Sequence, residues 1–361
     1  MSRLENVAKI VLEKADCFIV ANDINRFYLT NLKSSAGFIV GFKDKTYLII
    51  DSRYIEKARD IVVDCEVVLL EKFYEQLKEL LIKHNAKTIL LETFHTTLFA
   101  FERYKEKLPD FEFLTDKLLS QTISDMRLIK TDYEIECIKK AQEIAEKAFE
   151  DILGYIHQQY DFEQGQYTER EVTRLLENAM LKYGADAISF DTIVLSGKKS
   201  SMPHGVPSDD VIGDGFLLFD FGAVYNGYHS DMTRTVFIGE PTDKMWEVYY
   251  VVLEAQKLAI SAIRTGVSCK DLDAVARDYI KSKGYGDYFG HSLGHGVGLE
   301  IHEEVTVSEK SKATLQTGNV ITIEPGIYLP KEFGVRIEDF VVVTDTGCIN
   351  LTNTNKEFLI L

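Results

Sequence analysis

Phe216-Leu-Leu-Phe-Asp-Phe-Gly-Ala-Val-Tyr-Asn-Gly-Tyr-His-Ser-Asp-Met-Thr-Arg-Thr235 holds two apolar, β-rich runs on either side of Asn226-Gly227. Asn-Gly is the strongest short signal for a two-residue hairpin turn, because both central residues need φ > 0. That turn pairs Tyr225 with Tyr228, and counting outward sets Asp231 opposite Gly222. Side chains alternate along a strand, so Asp220, Gly222 and Asp231 share one face. Asp220 and Asp231 become diagonal neighbours, roughly 7–8 Å apart. Two carboxylates so placed on a rigid ribbon can hold two metal ions about 3.5–4 Å apart. Aspartate is depleted in strands, and here it follows the buried-looking run Phe216-Leu-Leu-Phe219, which favours a functional reading over two solvated side chains.

A second acidic strand pair lies downstream. Val320-Ile-Thr-Ile-Glu324-Pro-Gly-Ile-Tyr and Gly334-Val-Arg-Ile-Glu338-Asp-Phe-Val-Val-Val each place one glutamate inside an apolar β run. Each pair is preceded by two helical stretches. Thr131-Asp-Tyr-Glu134 is a capping box that opens an amphipathic helix, followed by a polar, loop-like segment around 154–166. Thr168-Glu-Arg-Glu171 opens a second helix, with Gly184 just past its end. Helices over about Asp243–Ile263 and Lys270–Lys283 come before the second pair. The order helix, helix, acidic strand pair therefore repeats at a spacing of about 100 residues, as expected of two halves facing one site.

Buried isolated carboxylates are expensive unless they are paired or bind metal. Asp220, Asp231, Glu324 and Glu338, with the glycine-flanked His295, form a donor set rich in oxygen, with one imidazole and no sulfur. It suits two hard divalent ions, Mn²⁺ first and Co²⁺, Zn²⁺ or Fe²⁺ as replacements. Two such ions lower the pKa of a shared water, which makes metal-assisted hydrolysis the expected reaction class.

The rest of the chain bounds this reading. At 361 residues it is longer than one hydrophobic core usually serves. The expected class is α/β (α+β) with two domains: a small α/β domain over 1–127 and a catalytic domain over 128–361. In the first, Cys17–Asn22, Gly37–Gly41, Thr46–Asp51 and Lys87–Glu92 read as strands, and Ser52–Val62 and Phe73–His84 as helices. His84 and His95 stand alone and read as surface or capping residues rather than ligands. A net charge of −16 argues against a nucleic-acid partner, and no 18-residue apolar run predicts a membrane span. The first residues lack a signal-peptide core, and five scattered cysteines without a CxxC read as free thiols, so a cytoplasmic location is expected.

The motifs DFGAVYNGYHSDMTRT, GHGVGLEIHE, TIEPGIY and GVRIED resemble, in order, the five-ligand signature of the pita-bread metallopeptidases. Tyr28-Leu-Thr-Asn and Asp51-Ser-Arg-Tyr54 resemble the extra N-terminal domain of the aminopeptidase P and prolidase branch. The resemblance implies that Asp231 and Glu338 bridge both ions, that Asp220 chelates one, and that His295 and Glu324 complete the other, with Glu324 as general base. It also implies that His204 and His302 hold the substrate and stabilise the tetrahedral intermediate, with His291 as a further pocket histidine. Arg336 shares a strand face with Glu338 and is expected to orient the carboxylates. His229 reads as a rim residue, His157 as solvated, and Trp246 with the many Tyr and Phe residues as core or pocket wall.

The resemblance implies an Xaa-Pro aminopeptidase acting on peptides with proline second, as a homodimer. The alternative is an Xaa-Pro dipeptidase. Prolidases resembling this chain place an arginine four residues after the histidine matching His302, where this chain has Thr306. Losing that guanidinium removes a carboxylate clamp and favours longer substrates. A non-catalytic binding module on the same fold is the third reading; the complete ligand set argues against it.

Overall fold

The computed structural model describes residues 2–162 and 167–361, with side chains of 159–162 excluded. Contacts divide the chain into two units, 1–127 and 128–361.

The first unit is a mixed six-stranded sheet with helices. Its elements are α1 (Arg3–Val11), β1 (Cys17–Val20), α2 (Asp23–Thr30), β2 (Phe38–Phe42), β3 (Thr46–Ile50), α3 (Ile55–Ile61), β4 (Glu66–Leu69), α4 (Phe73–Lys83), β5 (Thr88–Leu91), α5 (Leu98–Lys107), β6 (Glu112–Leu114) and α6 (Leu118–Leu128). The sheet order is β4-β3-β2-β1-β5-β6. β1 is central, and all four of its residues are buried, as a strand covered on both faces requires. His84 caps the end of α4, as the capping half of its sequence reading expects, but it is not a surface residue. Its side chain is only 7% exposed, stacks on Phe42 and lies 2.8 Å from Asp44. Burial of an imidazole needs such partners, and Tyr47 Oη supplies another at 3.0 Å.

The second unit is built as two halves. The first has α7 (Asp132–Phe162), α8 (Glu169–Lys182), β7 (Ala187–Ile188), β8 (Ile193–Ser196), β9 (Gly215–Phe221), β10 (Ala223–Tyr225), β11 (Tyr228–His229) and β12 (Met232–Ile238). The second has α9 (Asp243–Ala262), α10 (Cys269–Ser282), β13 (Gly294–Gly296), β14 (Glu303–Val307), β15 (Val320–Ile323), β16 (Gly326–Leu329), β17 (Phe333–Arg336), β18 (Asp339–Val343) and β19 (Cys348–Asn350). The loop expected around 154–166 is helical as far as Phe162, so α7 runs for 31 residues; 163–166 lie outside the described residues. Ile152 and Ile156 are buried there, and continue the apolar stripe through Gly154. His157 on the same turn is exposed.

Both capping boxes form. Thr131 and Glu134 exchange bonds at the start of α7, as do Thr168 and Glu171 at α8. Each helix pair buries one face against its own strand pair. Ile144, Phe149, Val172 and Leu176 pack with Phe219 and Phe221. Val252, Leu272 and Ile280 pack with Ile321, Ile323 and Val341. Each such side chain contributes roughly 1.5–3 kcal/mol when fully buried. The helices thus hold the backs of two hairpins whose other faces carry the acidic residues.

All five cysteines are free thiols. Among the described residues, no helix is long and apolar enough to cross a membrane.

Candidate metal centre

The Asn226-Gly227 turn forms with φ of 51° and 87°. Tyr225 pairs with Tyr228 and Val224 with His229, and the same register resumes as Phe221 with Met232 and Asp220 with Thr233. Between these segments the ladder opens at Gly222, opposite Asp231. A Cβ at Gly222 would lie 1.9 Å from the Ser230 carbonyl oxygen, so only glycine lets the two strands approach here.

The second hairpin is interrupted in the same way. Ile323 pairs with Asp339 and Gly326 with Arg336, so the shared register sets Glu324 opposite Glu338. Several hydrogen bonds join the hairpins, among them Glu338 N–H to Thr233 O at 3.1 Å and Thr235 Oγ1 to Arg336 O at 2.9 Å. The acidic faces thereby meet.

The side chains converge accordingly. Ligand atoms of Asp231, His295 and Glu338 all lie within 4.8 Å of one another. His295 Nε2 is 3.5 Å from Asp231 Oδ2 and 3.4 Å from Glu324 Oε1. His295 Nδ1 lies 3.0 Å from the Gly296 carbonyl oxygen. That oxygen can only accept, so Nδ1 carries the proton and Nε2 turns its lone pair toward the carboxylates. Burial pushes the His295 pKa down and keeps that lone pair available.

Arg336 is 4% exposed and organises the opposite side. Its Nη2 donates to Asp220, its Nε to Thr233 Oγ1 at 2.9 Å and its Nη1 to Tyr328 Oη at 2.7 Å. Tyr328 Oη lies 3.0 Å from His291 Nε2, and His291 Nδ1 donates to Ser292 O at 2.8 Å. Every donor in this chain is fixed if His291 is neutral, and burial, with Arg336 nearby, holds its pKa at about 4. His291 lines the cavity, as expected of a pocket histidine, but is partly buried and tied into the chain that orients Arg336 and Asp220, while His204 and His302 stand exposed on the cavity wall. His229, read as a rim residue, is partly buried, with Nδ1 2.8 Å from Ser189 Oγ.

The carboxylates are crowded. Burial, with Glu338, Asp220 and Glu324 close by, raises the Asp231 pKa far above its ordinary value. The same forces raise Glu338, and burial raises Glu324 to about 8. Glu338 Oε2 accepts from Thr233 Oγ1 at 2.7 Å, but its buried Oε1 has no hydrogen-bond partner. Arg336 is one cation among four carboxylates. An orphaned buried oxygen, a bare imidazole nitrogen and an excess of negative charge are what a site for divalent cations presents.

Two regions of the chain match family models. Residues 136–345 match metallopeptidase family M24, and residues 3–129 match the creatinase/prolidase N-terminal domain. The chain belongs to metallopeptidase family M24. The paired domains place it in the aminopeptidase P and prolidase branch, on the pita-bread fold. An M24 relative from Pyrococcus furiosus named Xaa-Pro dipeptidase is 43% identical over 99% of both chains. A solved structure described as Xaa-Pro dipeptidase from Bacillus anthracis superposes with a TM-score of 0.93 at 40% identity, covering 99% of both chains. An X-Pro aminopeptidase from Thermotoga maritima gives 0.88 at 39% identity, covering 96% of this chain and 98% of that one. As an M24 metallopeptidase the chain is a hydrolase of peptide bonds that works with divalent metal ions.

Thr233, Tyr328 and Thr322 are the site residues the sequence reading missed. Thr322 Oγ1 accepts from His295 N–H at 3.0 Å and donates to Glu324 Oε1 at 3.1 Å. Alternation could have found two of them, since Thr322 lies two residues from Glu324, and Thr233 two from Asp231, on the same strand faces.

Proposed function

We infer that this M24 metallopeptidase hydrolyses Xaa-Pro bonds, and that its substrate is the Xaa-Pro dipeptide. The observation that carries the reading is the convergence of Asp231, His295, Glu324 and Glu338 on the floor of a cavity of about 380 Å³, which His204 and His302 also line. That volume is near the lower end for small-ligand sites. The dipeptidase names of the Pyrococcus and Bacillus anthracis relatives support the dipeptide as substrate.

Asp220, Asp231, His295, Glu324 and Glu338 would hold two divalent ions, with Mn²⁺ the best match to the donor set. Bound there, the metal would polarise the scissile carbonyl and acidify a water. Glu324, steadied by Thr322, is the base that takes the proton of the attacking water. His204 and His302 line the cavity, where one would stabilise charge growing on the carbonyl oxygen and the other would protonate the departing proline nitrogen. Arg336 keeps Asp220 oriented, and the Tyr328–His291 chain keeps Arg336 in place.

One observation favours the aminopeptidase reading. Thr306 lines the cavity, and Arg336, the one guanidinium among the described lining residues, is already committed to Asp220, Thr233 and Tyr328. Among the described lining residues, no lysine or second arginine is free to meet a dipeptide carboxylate. The experiment is cleavage of Met-Pro and of a longer Xaa-Pro-Yaa peptide by metal-stripped protein with and without Mn²⁺. Preference for Met-Pro supports the dipeptidase. Cleavage of only the longer peptide replaces it with the aminopeptidase, and no cleavage of either with Mn²⁺, Co²⁺ or Zn²⁺ overturns both.

A further inference from the structure

The two exposed cavity histidines, His204 and His302, sit on irregular backbone, and each piece of backbone is gathered around one buried carboxylate that the proposed chemistry does not use. Glu303 follows His302. Its side chain is 5% exposed, and its Oε2 is 2.9 Å from Lys130 Nζ, itself 3% exposed. Its Oε1 accepts from Leu299 N–H at 2.9 Å and Glu300 N–H at 3.3 Å. Gly298 makes room for the carboxylate, since a Cβ there would lie 2.5 Å from Glu303 Oε2. The turn from Gly298 to Ile301 thus wraps the Glu303 carboxylate and delivers His302 with its ring 4.4 Å from that of His295.

The other half repeats the device. Glu169 is fully buried in the first turn of α8. Its Oε1 accepts from Ser196 N–H at 2.8 Å, and its Oε2 from Ser208 N–H at 3.0 Å, from Ser208 Oγ at 3.1 Å and from Lys199 Nζ. Ser196 and Ser208 bracket the loop that carries His204, so one side chain ties both of its ends. A buried carboxylate with a lysine and two backbone N–H donors is fully engaged, and such a network fixes local geometry.

We propose that Glu303 with Lys130, and Glu169 with Lys199, are positioning residues, each dedicated to one cavity histidine: Glu303 to His302 and Glu169 to His204. The inference rests on the reading that these histidines face substrate, and it adds that their placement is controlled separately in the two halves. Removing an anchor then misplaces its own histidine and leaves the other in register.

The test combines Lys130→Met/Glu303→Ala, which leaves no orphaned buried charge, and Glu169→Gln with His302→Ala or His204→Ala in the full chain. Hydrolysis of Xaa-Pro substrate with Mn²⁺ is read as kcat/KM. Each anchor variant alone is expected to lose on the order of 10- to 100-fold, the scale of a misplacement near 1 Å. The Lys130/Glu303 variant is expected to cost less than about twofold in the His302→Ala background and its full loss in the His204→Ala background, with the pattern reversed for Glu169→Gln. Equal losses in both backgrounds would overturn the proposal. A second readout needs no activity: ring Cε1–H NMR signals, assigned with the histidine variants. Lys130→Met/Glu303→Ala should move the His302 signal and leave that of His204, and an unmoved His302 signal also overturns it. A wild-type protein that cleaves no Xaa-Pro peptide would refute the proposed function, while the spectra still decide this inference.

Discussion

Removing metal should make the second unit lose stability as pH rises, a direction opposite to simple acid unfolding. In the metal-free protein, burial raises the Glu324 pKa to about 8 from 4.5, and Asp231 and Glu338 are raised with it. A carboxyl whose folded pKa is raised holds its proton in the folded state after the unfolded chain has lost it. Stability therefore falls with pH between the unfolded and folded values. Depressed histidines act the other way: His291, at about 4 against an ordinary 6.5, adds stability as pH rises across that interval. Between pH 6.5 and 8 the raised carboxyls dominate. Glu324 alone contributes about 1.4 kcal/mol per pH unit, or about 2 kcal/mol across the window. Its side chain is 17% exposed, so solvent takes some of this and the figure is an upper one. For a domain of this size about 2 kcal/mol corresponds to a fall of roughly 4–8 °C in Tm. Divalent ions hold the same carboxyls ionised in the folded state and should flatten the slope. The assay is thermal unfolding at pH 6.5, 7.2 and 8.0, with chelator and with excess Mn²⁺. Glu92, also raised by burial, lies in the first unit and contributes equally to both series. A metal-free Tm that is flat or rises over this window, or a Mn²⁺ series falling as steeply, would refute the reasoning.

Three substitutions probe the site from other directions. Gly222→Ala forces a Cβ toward the Ser230 carbonyl oxygen, displaces the strand bearing Asp231, and should weaken Mn²⁺ binding at least tenfold by titration calorimetry; unchanged affinity would mean the hairpin opening has no part in ligand placement. Tyr328→Phe removes the hydroxyl joining Arg336 to His291, and should lower kcat on the order of tenfold and destabilise by about 1–3 kcal/mol, with denaturant unfolding as the check. Thr306→Arg returns a guanidinium to the cavity wall and should shift the ratio of kcat/KM values for Met-Pro over Xaa-Pro-Yaa upward by about tenfold. An unmoved ratio would show that this wall does not read the substrate carboxylate.

Much of this site is local in origin, and so the sequence alone determined it. The Asn226-Gly227 turn sets a register that side-chain alternation carries to Asp220 and Asp231. Two capping boxes start α7 and α8 because their partners are three residues apart. The acidic residues stand out because apolar strands do not otherwise tolerate them. The tertiary structure alone decided what depends on partners far along the chain. Polarity makes 154–166 read as a loop, but α7 runs to Phe162, with Ile156 buried on its apolar face. His84 reads as a surface or capping residue; it does cap α4, but only the fold closes Phe42, Tyr47 and Asp44 around its side chain. Lys130 and Glu303 pair across 173 positions. The strand face of Arg336 marks it as a residue that orients the carboxylates, but that it reaches Asp220, across 116 positions, is decided by the fold. A turn or cap is fixed by steric and hydrogen-bonding rules within a few residues. A buried charge is settled only when folding brings its counter-charge to it, and no spacing in the sequence encodes that distance.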